Sequence, residues 1–255
     1  MLGCNRVKKK ISIGEEVFGI LNSIPSPLLC EMLGYAGYDF IILDTEHVLT
    51  SPRDLEHAIR AAENANLTPF VRVPSTDSAL IARVLDCGAQ GIVIPRVSSA
   101  KQAADAVAAV RFPPLGKRGI TGGRPTGFGT LTLDDYMAQA NREIMLILMI
   151  EDCDGCDALP QILQLSGIDA ILEGALDLSI AMGHGSQVQH PEVQSAIAKM
   201  AADCASANTI FCALPRQPGQ IETWRQKGIQ MFLAGEDRGI LFRQLKGHLS
   251  TLKQG

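Results

Sequence analysis

Ionisable side chains stand at the ends of several apolar stretches of this sequence. The segment ILDTEH places Asp44, Glu46 and His47 next to one another after one such stretch. Histidine titrates near neutral pH, so His47 could act as a general base or hold a water that does, with Asp44 or Glu46 orienting its imidazole. Packing alone explains such a dense group poorly. We therefore predict acid-base chemistry at this position.

Three further side chains could bind a small carboxylate substrate or a metal ion beside it. Arg72 in VRVP could bind a substrate carboxylate or a developing enolate oxygen through its planar fork, although a structural ion pair is the alternative. Glu151 and Asp177 follow strongly apolar runs, and carboxylates at the ends of adjacent strands can hold Mg²⁺ or Mn²⁺. Each could instead be a helix N-cap or a surface acid.

Eight short apolar runs, each followed by a segment with helical spacing of apolar residues, must position these side chains. Such alternation predicts parallel βαβ units, and eight of them make an α/β fold, a single (β/α)8 or TIM barrel over residues 1–255. A doubly wound sheet is the alternative, but ILNSIPSP after the first run lacks its Gly-rich phosphate turn. The predicted strands are 17–22, 40–44, 69–73, 91–97, 145–150, 170–173, 210–214 and 230–234.

Two segments stand apart from this regular alternation. The loop at about 112–130 is dense in Gly and Pro, cannot be one regular helix, and is expected to cover the mouth of the active site. The segment at about 240–252 predicts an amphipathic terminal helix that packs on a partner or on its own barrel.

The composition excludes several classes of function. A formal net charge of -4 provides no basic surface for nucleic acid or anionic lipid, and no apolar stretch is long enough to span a membrane. Seven cysteines, an odd number, suit a reducing compartment better than a disulfide framework, so we expect a cytoplasmic protein. Cys153 and Cys156 are predicted to be structural thiols that form no disulfide, and His184 and His190 are predicted to be solvent-exposed loop residues.

Several short motifs occur in order over nearly the whole chain: LDTEH, VRVP, LDCGAQGIVIPRV, RFPPLGKRG, the Glu that ends the fifth run, and DLS at 177–179. Together they resemble the HpcH/HpaI family of class II aldolases. The resemblance implies a (β/α)8 barrel, a homo-oligomer (dimer or hexamer), and chemistry that uses a divalent metal and a pyruvate enolate. It also implies site roles: Glu151 and Asp177 as metal ligands, Arg72 at the oxo-acid oxygens, His47 with Asp44 as the acid-base pair, and Asp86 as an acid near a neighbouring subunit's site.

Two departures from the pyruvate aldolases of that family concern the substrate pocket. Met149 stands where those enzymes have Gln, and Gly174, Ala175 and Leu176 stand where they have a Gly-Pro-small step that helps to hold the pyruvate carboxylate. With MIEDCDG, LEGALDLS, FCALPR and AGEDRG, these departures resemble the branch that makes citrate for carboxylate siderophores. That resemblance implies oxaloacetate and acetyl-CoA as substrates.

Oxaloacetate carries two carboxylates and should need more cationic donors than pyruvate. Arg216 and Arg238 follow the seventh and eighth runs and are predicted to bind substrate, whereas Arg118 and Arg124 are weaker candidates with a surface role as the alternative. Citrate formation is the leading hypothesis. The second is a metal-dependent pyruvate aldolase acting on hydroxy-oxo acids such as 2-dehydro-3-deoxy-glucarate or 4-hydroxy-2-oxo-heptanedioate, and the third is a non-catalytic barrel that binds a carboxylate metabolite.

Overall fold

The computed structural model describes residues 2–254 and contains a closed barrel of eight parallel strands in chain order. Each strand pairs with its neighbours in sequence, and the first pairs with the last. The predicted α/β fold, a (β/α)8 barrel, is confirmed. Its strands are β1 (Val17–Asn22), β2 (Phe40–Asp44), β3 (Thr68–Arg72), β4 (Gly91–Ile94), β5 (Met145–Ile150), β6 (Ala170–Glu173), β7 (Ile210–Ala213) and β8 (Met231–Glu236).

Helices connect the strands and form the outer ring of the barrel. The helix α3 shows why they form, since Ser51 caps its first turn, Pro52 begins it, and Leu55, Ile59 and Ala62 recur on the buried face. The helices are α1 (Arg6–Ser12), α2 (Pro27–Tyr35), α3 (Pro52–Asn64), α4 (Ser78–Asp86), α5 (Ala100–Val110), α6 (Leu133–Glu143), α7 (Cys153–Ile162), α8 (Ala175–Ala181), α9 (Pro191–Ser206), α10 (Gln220–Gln226) and α11 (Asp237–Gln254).

Large apolar side chains fill the interior of the barrel. Phe40 and Ile42 of β2 and Phe70 of β3 belong to this inner cluster, and their two aromatic rings lie 5.5 Å apart. Gly19 of β1 makes room for the Phe40 ring, because a Cβ there would lie 2.0 Å from it. Successive side chains of a strand alternate in direction, so every second residue of each strand faces this interior.

The loop predicted to cover the mouth lies instead at the opposite end of the barrel. Arg124 binds the Glu63 carboxylate of α3 and donates to the Cys87 carbonyl beyond α4 at 3.0 Å, while Leu2 donates its backbone N–H to Pro125 at 2.7 Å. Both helices end where the next strand begins, so these contacts lie at the amino ends of the strands. The prediction of a lid was wrong because distant segments, invisible in the loop's own composition, hold it there.

The terminal helix begins three residues earlier than predicted and leaves its apolar side uncovered. Its exposed apolar residues are Leu241, Phe242, Leu245, Leu249 and Leu252. Among helices in the described part of the chain, none combines the length and apolar character needed to cross a bilayer. In the single chain, this apolar side of α11 therefore faces solvent.

Candidate active site

Charged residues occupy the last inward-facing positions of three strands. Asp44 follows Ile42 on β2, Arg72 follows Phe70 on β3, and Glu151 follows Met149 at the end of β5, each at a spacing of two residues. Because side chains of a strand alternate in direction, each charged residue occupies the next inward position above an interior apolar residue, and together the three form a charged layer. This layer lies at the carboxyl ends of the strands, where barrel enzymes place their chemistry.

Asp44 and Arg72 form the most buried ion pair of this layer. They are register partners across β2 and β3, and the Arg72 guanidinium donates Nε and Nη2 to the two Asp44 oxygens at 3.0 and 2.9 Å. Burial by itself would raise the pKa of Asp44, but the Arg72 hydrogen bonds and charge outweigh it and lower that pKa below its ordinary range. Asp44 is therefore an anion that orients Arg72.

Glu46 links this pair to the histidine. Its Oε2 atom lies 3.2 Å from Arg72 Nη1 and 3.7 Å from His47 Nε2, and it is buried without a well-aligned hydrogen bond. Asp44 accepts the backbone N–H of His47 at 3.4 Å and that of Glu46 at 3.0 Å. The His47 ring thus faces Glu46 rather than Asp44, and with 51% of its side chain exposed it can reach a substrate.

Arg96 joins the site from the end of β4, and sequence reasoning did not select it. Its φ of 53° is uncommon for a residue with a side chain, and this conformation aims its backbone N–H at Glu151 Oε1, 3.2 Å away. Its Nε lies 3.5 Å from Glu46 Oε1, while 61% of the side chain stays exposed. The arginine of the IPRV segment was the available signal, but the sequence does not reveal the backbone conformation.

Glu151 lies in an unusual environment for a carboxyl group. Burial raises its pKa to about 7; the Arg96 N–H bond opposes this, and the negative charges of Asp177 and Glu46 add to it. Gly174 allows the carboxyl to lie where it does, because a Cβ at that position would lie 2.4 Å from Glu151 Cγ. Glu151 can therefore exchange a proton near neutral pH or bind a cation.

Asp177 approaches the same place from the first turn of α8. Gly174 is the N-cap of that helix, and in the described part of the chain the backbone N–H groups of Ala175, Leu176 and Asp177 donate to no protein acceptor. Helix starts of this kind favour anions. The site thus offers amide donors beside two carboxylates.

These residues fit a divalent cation. Burial is the main cause of the raised pKa of Glu151, and the negative charges of Asp177 and Glu46 add to it, so a cation between these acids would offset both. Two carboxylates from successive βα units, with room left for water and substrate oxygens, are a donor set suited to Mg²⁺ or Mn²⁺. Glu151 and Asp177 are the residues that would hold it.

The remaining predicted substrate-binding residues lie on the same face with partners of their own. Arg216 donates to both oxygens of Glu173, at 2.8 and 3.0 Å, and Arg238 pairs with Glu236 on the exposed rim. Met149 is buried in the barrel interior, two residues before Glu151. Two arginines therefore line the rim beyond β7 and β8, each already paired with an acid.

Asp86 is not brought to this cluster within one chain. It pairs with the buried Arg118 at 2.9 Å, and Arg118 also donates to the Tyr136 hydroxyl at 3.0 Å. Asp86 lines a groove of about 700 Å³ that is also lined by Thr45, the residue before Glu46. Arg118 and Arg124 both support the fold and lie apart from the charged layer.

A further buried acid on this face was missed by sequence reasoning. Asp237, the first residue of α11, accepts the Asn22 amide at 2.6 Å and the backbone N–H groups of Ser23 and Ile24 at 2.9 and 3.1 Å. It fastens the end of β1 to the end of β8. Its signal is the AGEDRG segment, in which the sequence predicts a role only for the neighbouring Arg238.

Known proteins resemble this chain over nearly its full length. The model of the family described as HpcH/HpaI aldolase/citrate lyase matches residues 21–243. A hydroxypyruvate/pyruvate aldolase of Roseobacter denitrificans is 32% identical over 98% of both chains, and a 5-keto-4-deoxy-D-glucarate aldolase of Salmonella paratyphi C is 36% identical over 98% of this chain and 97% of its own. The crystal structure of citrate synthase SbnG is similar with a TM-score of 0.91 and 40% identity, covering 97% of each chain.

Proposed function

Since the chain belongs to the HpcH/HpaI aldolase/citrate lyase family and is therefore an enzyme, we propose that it condenses oxaloacetate with acetyl-CoA to citrate for siderophore biosynthesis. The membership confirms the resemblance to class II aldolases and leaves the non-catalytic alternative without support. The observation that carries the choice of reaction is the 40% identity to citrate synthase SbnG over 97% of both chains.

The charged layer supports the steps that form the carbon-carbon bond. Arg72, held flat by Asp44, presents Nη1 to the oxaloacetate ketone and stabilises the negative charge that develops on its oxygen. His47, with Glu46 beside its ring, accepts a proton from the methyl group of acetyl-CoA. The resulting enolate carbon forms a bond to the ketone carbon, the alkoxide takes up a proton, and water then cleaves the thioester to release CoA.

Substrate carboxylates have donors on both sides of this centre. The free N–H groups at the start of α8, from Ala175 and Leu176, could bind one carboxylate, with Gly174 keeping the approach open. Arg216 and Arg238 could bind the other by exchanging their acid partners for substrate. A divalent cation held by Glu151 and Asp177 would add Lewis-acid polarisation of the oxo-acid oxygens.

A pyruvate aldolase is the second candidate function. The 32% and 36% identities to named aldolases favour it, as does the retained pair of carboxylates at Glu151 and Asp177. Met149 distinguishes the two candidates, since a thioether at that position cannot hydrogen-bond to the carboxyl group of Glu151 as an amide could. Because the identity to SbnG is higher than the identity to either aldolase, the citrate reaction is the one we put forward first.

We also propose a homo-oligomer, built through the exposed apolar side of α11. Exposing five large apolar side chains of one helix to water is unfavourable. A second copy of this chain could cover them in a symmetric contact. In such an assembly Asp86 would be the acid that approaches a neighbouring subunit's site, as the family resemblance implies.

The direct test mixes purified protein with oxaloacetate and acetyl-CoA, with and without a chelator, while thiol release is followed and the product is identified by mass. Citrate formed together with free thiol supports the proposal, and the chelator arm reports whether a metal takes part. Arg72→Lys should lower kcat/KM about hundredfold, whereas Arg60→Lys, on the outer surface of α3, should not change it. Metal-dependent consumption of pyruvate with an aldehyde, without thiol release, would select the aldolase.

A further inference from the structure

We infer that His184, His190 and Glu192 form a second cation site, for Zn²⁺ or a transition metal of similar preference, between α8 and α9. One ligand atom from each of the three residues can be chosen so that all lie within 4.8 Å of one another. His184 Nε2 already lies 2.8 Å from Glu192 Oε2, and the two imidazole rings are stacked with centroids 3.6 Å apart. Neither histidine takes part in the reaction proposed above.

The donor types select the class of metal. Two imidazole nitrogens and one carboxylate oxygen are a common protein ligand set for zinc, with a fourth position left for water. Zinc bonds of about 2.0–2.1 Å place neighbouring ligand atoms about 3.3 Å apart. The His184 Nε2 to Glu192 Oε2 distance of 2.8 Å is near that value, and the three chosen ligand atoms lie within 4.8 Å of one another. Because the two rings are stacked only 16° from parallel, their lone pairs do not converge, so at least one imidazole must turn about its side-chain torsions to complete the site.

The surrounding backbone holds these three residues in position. His184 donates its N–H to the Ser179 carbonyl of α8 at 2.8 Å, which ties it to the end of that helix. His190 is the N-cap of α9, where its Nδ1 accepts the Glu192 N–H over 3.3 Å, and Pro191 begins the helix between them. A bound metal would replace the proton shared by His184 and Glu192, together with this long bond at His190.

Charge and chemistry separate this site from the carboxylate pair at the catalytic face. Asp177 lies at the opposite end of α8 from His184, about 10 Å away along the helix at 1.5 Å per residue. Carboxylates without nitrogen ligands prefer Mg²⁺, whereas imidazole prefers Zn²⁺. Excess Mg²⁺ should therefore occupy the catalytic acids without displacing zinc from the histidines.

The competing location for zinc is the thiol pair near the start of α7. Cys153 is exposed, and burial raises the pKa of Cys156 to about 11, with the neighbouring Cys153 adding to the shift. A thiol that resists ionisation is a poor zinc ligand, because the thiolate is the species that binds. The histidine cluster is therefore the better zinc site, and substitutions distinguish it from the thiol pair.

The experiment titrates untagged, chelator-treated protein with Zn²⁺ in excess Mg²⁺, using a competing metal indicator. We expect one tight site, weakened at least about tenfold by His184→Ala or by Glu192→Gln. His57→Ala, which removes a lone exposed histidine of α3, and Cys153→Ser should leave the affinity unchanged. With Co²⁺ as the probe, the absorption spectrum should lack a thiolate charge-transfer band.

Two results would overturn the inference: zinc binding that persists in both His184→Ala and Glu192→Gln, or zinc binding that is lost in Cys153→Ser. Thermal unfolding of each variant without metal distinguishes loss of a ligand from loss of the fold. Because the readout is metal affinity, the inference stands or falls independently of the reaction proposed for the enzyme.

Discussion

The guanidinium of Arg72 donates a hydrogen bond to each carboxylate oxygen of Asp44, and the two residues are register partners across β2 and β3. This relationship fixes the plane of the guanidinium before any substrate arrives. Only Nη1 remains turned away from Asp44, towards Glu46 and the space above the barrel. An oxyanion donor that is already oriented needs little reorganisation during the reaction.

Asp44→Asn should therefore harm both the fold and the reaction. The amide keeps the shape but leaves the buried Arg72 charge without its main partner, which should cost about 3 kcal/mol of stability. A misplaced guanidinium should lower kcat about hundredfold. Urea unfolding and steady-state kinetics measure the two effects. Asp105→Asn, in an exposed pair with Lys101, is the control, and a variant of Asp44 as stable and active as the parent would contradict this account.

The raised pKa of Glu151 predicts how stability depends on pH. The Glu151 carboxyl group loses its proton near pH 4.5 in the unfolded chain and near pH 7 in the folded chain, so between these values only the folded state is protonated there. Stability should therefore fall as pH rises through this window, by about 3 kcal/mol at 1.36 kcal/mol per pH unit. Glu151→Gln should abolish that component, measured by urea unfolding at both ends of the window with a chelator present. Glu31→Gln on the surface of α2 should keep it.

Gly174→Ala tests the close approach of helix α8 to the catalytic carboxyl. The new methyl carbon would lie only 2.4 Å from Glu151 Cγ, so the Glu151 side chain must move. We expect the fold to survive, with kcat/KM reduced about hundredfold and Mg²⁺ affinity reduced about tenfold. Gly119→Ala, where no atom lies within 4 Å of the added Cβ, should leave both quantities unchanged. Normal activity in Gly174→Ala would show that Glu151 can move freely.

Met149→Gln tests what separates citrate formation from aldol chemistry. The amide would stand at the last interior layer before Glu151 and could hydrogen-bond to its carboxyl group. Restoring polar support of this kind should raise Mg²⁺ affinity and metal-dependent pyruvate turnover about tenfold, as measured by calorimetry and a coupled assay. Met137→Gln on α6 is the matched control. Unchanged affinity and turnover would mean that the thioether does not determine the choice of reaction.

Charges on the apolar side of α11 should dissociate the assembly. Phe242→Glu combined with Leu245→Glu would place two acids in the proposed contact, so we expect monomers where the parent protein forms oligomers, as measured by light scattering. Thr251→Glu, on another side of the same helix, should not alter the mass. If the parent protein is itself monomeric, the proposed role of α11 is wrong.

The sequence predicts the barrel and the inward charged residues for the same physical reason. Strands buried on both faces need continuous apolar runs, so Asp44, Arg72 and Glu151 stand out as the first charges after them. The contribution of Arg96 could not be predicted in this way, because it depends on one positive φ angle. The pairing of Asp86 with Arg118 also escaped, since it joins a helix to a distant irregular segment.

The seam between β1 and β8 affects how the protein must fold. It joins residues 17–22 to residues 231–236, so the ring closes only when both ends of the chain are present, and Asp237 then fastens Asn22 in place. Pairing over such a separation is slow, and an unclosed sheet exposes two unpaired edges. During synthesis the barrel therefore cannot close until β8 has left the ribosome. Before that moment the strands at the two open edges of the sheet are unpaired and can pair with other chains.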